Sequence, residues 1–275
     1  MGIAIVIPMT NTDATTTSAT TADRATELLR LHEAPELLQL VNVWDVVSAR
    51  AVAALPETRA LATASHSIAA SFGYPDGEAI PRDLMLDMVG RIAAATELPV
   101  TADLEAGYGD AGETMRRAIA VGVVGANIED ELRPLHESVA LMAAVTEAGE
   151  SEGVPVVLNA RTDAFLRGGD RPIDVIVADA IERGLAYLDA GAACVFVPGN
   201  FGEDVVTQLV EAFGERRLSV IGLPALPSPA RLAELGVARV SYGPYVQRVA
   251  LTALQDVAST LYAGGVIPEG TRALN

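Results

Sequence analysis

An α/β fold of the (β/α)8 TIM-barrel type, with an extra C-terminal helix, is what the sequence predicts. From about residue 40 onward, eight short apolar runs alternate with longer amphipathic segments, as repeated βα units require. Several of the helical segments open at Pro or Ser and end at Gly, the punctuation typical of helix termini. The length of 275 residues suits a single α/β barrel. No Gly-x-Gly-x-x-Gly follows the first apolar run, which argues against an open dinucleotide-binding sheet.

Residues 1–20 are Thr-rich and polar after a brief apolar start and are expected to form a flexible arm. A helix over "DRATELLRLHEA" then leads into the repeats. Strands are expected near Leu40 to Trp44, Ala60 to Ala64, Val100 to Asp103, Gly125 to Glu129, Val156 to Ala160, Cys194 to Pro198, Leu218 to Leu223 and Val237 to Tyr242. Between them, "PRDLMLDMVGRIAAATE", "GETMRRAIAVG", "PIDVIVADAIERGLAYLDAG" and "SPARLAELG" carry helical spacing. No repeat, low-complexity tract or Pro-rich linker divides the chain, so residues 21–275 are expected to form one barrel domain with its C-terminal helical extension. The terminal "PYVQRVALTALQDVASTLYAGG" is long and amphipathic, fit either to cover the barrel or to reach a neighbouring subunit, which tilts the expectation toward a homo-oligomer, a tetramer or a dimer.

Hydrophobic residues make up 50% of the chain and aromatic ones only 4%, so the core is expected to be aliphatic. The 19 Lys and Arg against 36 Asp and Glu leave a formal charge of −17, which repels nucleic-acid phosphates and anionic membranes. No stretch is apolar for long enough to span a bilayer. An anionic small substrate stays possible where Arg side chains, backbone amides or a divalent cation reverse the local sign. Cys194 is the single cysteine, so no internal disulfide or cysteine zinc cluster forms, and a cytoplasmic location is expected.

In a barrel of this kind the chemistry gathers at the C-terminal strand ends. Those ends carry Asp45, Ser65 with His66, Asp103 with Glu105, Glu129 with Asp130, and Arg161 with Asp163. Asp103 and Glu105, two apart, share a side of any extended segment, and Glu129 ends the next strand. Three carboxylates with no accompanying His or Cys suit a hard cation, Mg²⁺ or else Mn²⁺. Arg161 is suited to grip a second anionic group. Gly107 and Tyr108, with Gly109, form the turn beyond the acids, where glycine allows close approach to a ligand. Trp44 either walls the pocket or is a core aromatic.

"NVWDVVSAR", "ASHSIAASFGYPD", "DLEAGYG", "NIEDE" and "ARTDAF" follow one another in the order found in the isocitrate lyase and phosphoenolpyruvate mutase superfamily, which the chain resembles over about residues 40 to 200. The resemblance implies a Mg²⁺-dependent barrel enzyme that makes or breaks C–C or P–C bonds in small 2-oxo or 2-hydroxy acids. Carried over by position, Asp103, Glu105 and Glu129 resemble the metal-binding acids and Asp76 the acid that faces the metal's water shell. Arg161 resembles the substrate arginine. Ser65 and His66 occupy the turn whose amides cradle the substrate's acidic group, and Asp45 lies in a family-like segment.

Two departures sharpen the expectation. The family's acid pair is Asp-x-Asp, whereas Asp103-x-Glu105 stands here. Lyases of the family carry Lys and Cys in a mobile lid, while this chain reads "IEDELRPLHESVALMAAV". Isocitrate lyase and methylisocitrate lyase activities are therefore not expected. His136, at the start of the shortened segment, is either a solvated helix-start residue or the proton donor. Arg161, Asp45 and His136 are the catalytic candidates. Trp44, Ser65, His66, Gly107, Tyr108 and Arg161 are the substrate-binding ones, and Asp76, Asp103, Glu105 and Glu129 the metal ligands. The leading expectation is C–C cleavage through an enolate-like intermediate by a lyase, decarboxylase or hydrolase. P–C chemistry on phosphonopyruvate-like substrates and a non-catalytic metal and carboxylate binder are the alternatives.

Overall fold

The computed structural model describes residues 19–274; the expected flexible arm lies outside them except for its last two residues. Thr20 caps the first helix, α1 (Thr21–Glu33), by a reciprocal capping box with Asp23.

The barrel follows as β1 (Leu38–Leu40), β2 (Asn42–Val43), α2 (Val46–Ala53), β3 (Leu61–Thr63), α3 (Ser65–Ser71), α4 (Arg82–Ala94), β4 (Val100–Asp103), α5 (Ala111–Ala120), β5 (Gly125–Glu129) and α6 (Leu135–Ser151). It continues through β6 (Val157–Arg161), α7 (Ile173–Asp189), β7 (Cys194–Phe196), α8 (Glu203–Phe213), β8 (Leu218–Ile221), α9 (Pro229–Glu234), β9 (Arg239–Ser241) and α10 (Tyr245–Tyr262). All pairings are parallel, in the order β1-β9-β8-β7-β6-β5-β4-β3-β2. β1 and β2 are separated by Val41 alone, one pairing with β9 and the other with β3. They act as one interrupted first strand, and its two halves close the barrel.

Each strand is short and buried, and the core is aliphatic, with Leu28, Leu40, Leu61, Ile68, Ile92 and Ile128 among its largest fully buried side chains. Helix α1 lies under the strand starts. Leu28 packs where a Cβ on Gly125, the first residue of β5, would stand, so only glycine fits there. The buried His32 sits near Arg239, the first residue of β9, closely enough for the two to repel when charged. Pro81, Pro134 and Pro172 precede α4, α6 and α7, and Ser228 caps α9 with its side chain on the Arg231 amide, so the punctuation in the sequence does mark real helix starts. With the amino ends closed by α1, the opposite rim is left for chemistry.

Candidate active site

At the carboxyl ends of the strands a cavity of about 310 Å³ is lined by Ser65, Asp76, Gly77, Glu105, Glu129, Arg161, Asp163, Leu166 and Arg167. A larger cavity, about 750 Å³, is lined by Leu29, Thr146, Val154 and Gly191 among others. It offers only Glu150 and Asp189 as charged groups, so the smaller one is where the chemistry lies.

The register of the sheet assembles the polar groups. Asp103 ends β4, and its amide donates to Thr63 Oγ1 of the neighbouring strand at 3.0 Å. Asp103 Oδ2 accepts from the Ser65 amide at 3.1 Å and from Ser65 Oγ at 2.7 Å. This fixes the carboxylate against the start of α3 and leaves Oδ1 with no hydrogen bond among the described residues.

Glu105 corrects the expectation of an extended Asp-x-Glu pair. The strand stops at Asp103, and Glu105 takes φ +53°, a left-handed conformation costly for a residue with a Cβ. Its Oε2 accepts from the Glu78 amide and its Oε1 from Tyr108 Oη at 2.9 Å. Glu78 Oε1 accepts in turn from the Tyr108 amide. Glu78 and Tyr108 also have positive φ, so three left-handed residues from two loops lock one another in place, as happens where surroundings over-determine a strained site. Burial pushes the Glu105 carboxyl up to about 7, against the Glu78 amide and the Tyr108 hydroxyl, which lower it. Gly107, at φ +90°, makes the turn possible: a Cβ there would stand 2.5 Å from Ala111 Cβ and 2.7 Å from its Cα.

Glu129 and Arg161 are paired residues on β5 and β6, so their side chains leave the sheet together. Arg161 Nη1 lies 2.7 Å from Glu129 Oε2, and Nε donates to Asp163 Oδ1 at 2.7 Å. Burial raises the Glu129 carboxyl to about 8; Arg161 acts against it, while Asp163, Asp103 and Glu105 add to it. Burial alone would lower Arg161, but Glu129 and Asp163 outweigh it and hold the guanidinium charged. Asp163 is itself placed by the fully buried Asp130, whose Oδ1 accepts from the Asp163 and Leu132 amides, both at 2.9 Å. Asp130 Oδ2 accepts from Tyr187 Oη at 2.6 Å and Arg183 Nη1 at 3.3 Å. Asp130 is thus a structural hub with Arg183 rather than Arg161 as its ion-pair partner.

Among the described residues no three His, Cys, Asp or Glu side chains stand together as a ready-made metal cage. Mg²⁺ does not require one, because it keeps much of its water and takes one or two carboxylates directly. The donor set fits such an ion: Asp76, Asp103, Glu105 and Glu129 offer only oxygen, and burial, with neighbouring acids behind it, raises two of these carboxyls, Glu105 beside Asp103 and Asp76, and Glu129 beside Asp163, Asp103 and Glu105. Asp103 is not itself a lining residue of the cavity, but it is hydrogen-bonded to Ser65, which is, and its free Oδ1 would be available to such an ion. Glu105, with both oxygens engaged, suits the water shell.

Several expected site residues stand apart. Asp45 is the N-cap of α2: its Oδ1 accepts from the Ser48 amide at 2.7 Å, and its own amide donates to Ser48 Oγ at 3.1 Å, which commits the carboxylate to the helix. His136 is 83% exposed in the first turn of α6, beside Glu137, and is not among the cavity's lining residues. Trp44 packs partly buried against the core. His66 follows Ser65 in α3, and its Nδ1 is buried without a hydrogen-bond partner among the described residues. Arg167 and Glu78 escaped the reading of the sequence, although Arg167 stands one helical turn beyond Asp163, a spacing at which an ion pair is expected.

The phosphoenolpyruvate phosphomutase family profile matches residues 28–262. An uncharacterized protein of Mycobacterium tuberculosis is 32% identical over 240 residues, covering 86% of this chain and 90% of that one. Oxaloacetate decarboxylase of Pseudomonas aeruginosa is 30% identical over 237 residues, covering 78% and 77%. Among solved structures, a candidate phosphonomutase from Burkholderia cenocepacia aligns with TM-score 0.81 and 39% identity over 86% of this chain and 99% of that one.

Proposed function

The chain belongs to the phosphoenolpyruvate phosphomutase family, within the isocitrate lyase and phosphoenolpyruvate mutase superfamily, and on that premise we propose that it is a Mg²⁺-dependent enzyme cleaving a C–C bond in a small 2-oxo or 2-hydroxy acid. The observation that carries the reading is the cavity at the strand ends where the oxygen donors Asp76, Glu105 and Glu129 face the charged Arg161, with Asp103 pinned by Ser65 beside them. That arrangement suits one cation and one acid group side by side. A volume of about 310 Å³ is at the small end for ligand sites, as a substrate of few carbons requires. Oxaloacetate decarboxylase, which by its name breaks a C–C bond in a small 2-oxo acid, is among the proteins the chain is similar to.

When bound, Mg²⁺ supplies a positive charge that polarises the substrate's oxygen atoms. Arg161 holds the substrate's carboxylate through the N–H groups not taken by Asp163 and Glu129. Asp163 and Glu129 fix the plane of that guanidinium, so the grip is set before the substrate arrives. In a 2-oxo acid the terminal carboxylate leaves as CO2 while the electron pair of the broken C–C bond moves into the adjoining carbonyl and gives an enolate; in a 2-hydroxy acid the hydroxyl loses its proton as its carbon becomes the carbonyl of one fragment, and the electron pair moves into the carboxylate beside the other carbon. A proton at carbon then discharges either enolate. The Ser65 amide and hydroxyl keep Asp103 in one orientation throughout. The segment after Glu129 has neither Cys nor Lys before residue 145, so the proton donor is not the one the family's lyases use, and neither isocitrate nor methylisocitrate is the proposed substrate.

The test is a panel of 2-oxo and 2-hydroxy acids assayed with Mg²⁺, with calorimetry of Mg²⁺ binding alongside. Turnover by the wild-type chain, abolished by Asp103→Ala together with Mg²⁺ affinity, is expected; unchanged turnover and affinity in the variant would sink the proposal. A second reading, P–C cleavage or rearrangement, draws on the family's description and the Burkholderia relative. A ³¹P spectrum of phosphonopyruvate that the enzyme leaves unaltered would remove it.

The exposed apolar side chains of α10 support a homo-oligomer, a dimer or tetramer. No described helix is long and apolar enough to cross a membrane, and the single cysteine is buried and free. A cytoplasmic location is part of the proposal, on the family resemblance.

A further inference from the structure

One cationic side chain of the cavity has no part in the proposed chemistry. Arg167 lines the cavity from the segment after β6, four residues beyond Asp163, with its side chain 50% exposed. Its Nε donates to Asp163 Oδ2 at 3.2 Å, while Asp163 Oδ1 receives Arg161 Nε. A single buried carboxylate therefore sets two guanidinium groups side by side, Arg161 inside and Arg167 at the rim.

The far side of Arg167 faces an acid that lies at the edge of an ion pair. Arg167 Nη2 is 3.5 Å from Glu131 Oε1, and the Glu131 carboxylate is also bound by Arg133. Glu131 and Leu132 both have positive φ, two consecutive left-handed residues that carry this carboxylate on a strained turn. Asp130 pins that turn through the Leu132 amide, and Arg183 pins it through the Arg133 carbonyl at 3.0 Å. If Glu131 releases Arg167 it keeps Arg133, so no charge is left without a partner. A half-exposed pair of this length is held weakly, whereas a carboxylate or phosphonate meeting the guanidinium edge-on makes two charge-assisted bonds.

We infer that Arg167 is the specificity-determining residue of this site, reading a second acidic group at the far end of the substrate in exchange for Glu131. The inference rests on the reading that the cavity takes a small oxo or hydroxy acid, with Arg161 holding the inner group. Substrates with one acid group use Arg161 alone. Those with two use both arginines, which Asp163 keeps at a fixed separation.

The experiment compares binding of malate and 2-hydroxybutanoate, equal in carbon number and differing in one acidic group, to wild-type enzyme, Arg167→Met, Arg167→Lys and Glu131→Gln by calorimetry with Mg²⁺ present. Arg167→Met is expected to weaken malate about 10-fold or more, the scale of a lost charged hydrogen bond, and to leave 2-hydroxybutanoate within about twofold. Arg167→Lys is expected to fall between, and Glu131→Gln to tighten malate by removing its competitor. Phosphonopyruvate as a third ligand separates the sources: the dianion weakened more by Arg167→Met carries the preferred group. If wild-type enzyme binds both acids equally, or binds neither, or if Arg167→Met weakens both alike, the inference is overturned. Discrimination that depends on Arg167 but comes without turnover of any oxo acid leaves this inference standing and removes the proposed activity; turnover without the discrimination does the reverse.

Discussion

Asp163 Oδ1 accepts from Arg161 Nε at 2.7 Å, and this bond, made by a carboxylate only 2% exposed, decides where the site's inner cation points. Because Asp130 in turn holds the Asp163 amide, the orientation runs back from the cavity to a fully buried acid. Arg161 is therefore aimed by the strand ends themselves.

Asp163→Asn keeps the shape and removes the charge. One of its two polar atoms becomes an N–H donor facing a guanidinium, so Arg161 or Arg167 loses its partner. We expect kcat/KM for an oxo-acid substrate to fall about 10- to 100-fold, some 1.4–2.8 kcal/mol, and to fall with both one-acid and two-acid substrates, unlike Arg167→Met. Steady-state kinetics check this, and kinetics unaltered in the variant would show that Arg161 is held by Glu129 alone.

Tyr187→Phe removes one of four donors to Asp130. The 2.6 Å bond is buried, and its loss leaves a carboxylate oxygen with Arg183 alone at 3.3 Å. A destabilisation of about 1–3 kcal/mol is expected, read as a lower denaturation midpoint in guanidinium with the slope unchanged.

Gly107→Ala meets both a forbidden space and a forbidden angle. The added Cβ would overlap Ala111, and φ +90° is unsuited to any L side chain. About 2–4 kcal/mol is expected from the two together, with loss of the Glu105–Tyr108 lock seen as faster amide exchange in residues 105–109. A variant as stable as wild type would mean that the turn relaxes without cost.

The barrel was legible because its periodicity repeats: eight apolar runs, each too short for a helix, needed a common closed sheet. The break at Val41 was not legible, since "LQLVNVW" reads as one run. The site was legible where register alone decides, as for Glu129 opposite Arg161. It was misread where a turn intervenes. Asp103 and Glu105 look like neighbours on one face of a strand, but the strand ends at Asp103 and the chain enters, at Glu105 itself, a left-handed turn that the glycines at 107 and 109 continue. Asp45 gave its capping role away through Ser48 three residues on, a pattern outweighed by its position at a strand end. Arg167 was not legible, because only the folded turn after β6, closed by the Arg167 amide on the Asp163 carbonyl, brings it back beside Asp163 at the cavity.

Acid stability tests the closed end of the barrel. His32 is buried, its Nδ1 is bonded to the Leu28 carbonyl at 2.8 Å, and its Nε2 has no partner among the described residues. Burial, and then the nearby Arg239, pull its pKa from 6.5 down to about 3. The folded state thus excludes a proton that the unfolded chain accepts below 6.5. The stabilisation is complete above that value and is lost as pH falls from about 6.5 toward 3, at up to about 1.4 kcal/mol per pH unit. His32→Leu removes this contribution. Its unfolding free energy between pH 7 and 5 should fall less steeply than that of wild type, by about one proton's slope, and equal slopes would place the wild-type ring in contact with water.

Self-association tests the other end of the chain. Leu251, Leu254 and Leu261 are exposed on α10, at spacings of three and seven that line up along one helix face. Val249 and Tyr262 add exposed apolar area, while the helix is tied to its own barrel near its start, where Gln247 Nε2 donates to the Ser67 carbonyl at 3.1 Å and Ser71 Oγ at 3.2 Å. A helix fixed at its base with an apolar stripe along its length loses free energy by burying that stripe against a second copy. Light scattering is expected to give a multiple of the 28.6 kDa chain mass, and Leu254→Asp with Leu261→Asp to reduce it toward one chain, because a charge placed in the stripe must be desolvated to assemble. The cavity and its ligands lie on the barrel rather than on this stripe, so Mg²⁺ binding should survive the double substitution; a wild-type mass of one chain at micromolar concentration would refute the assembly outright.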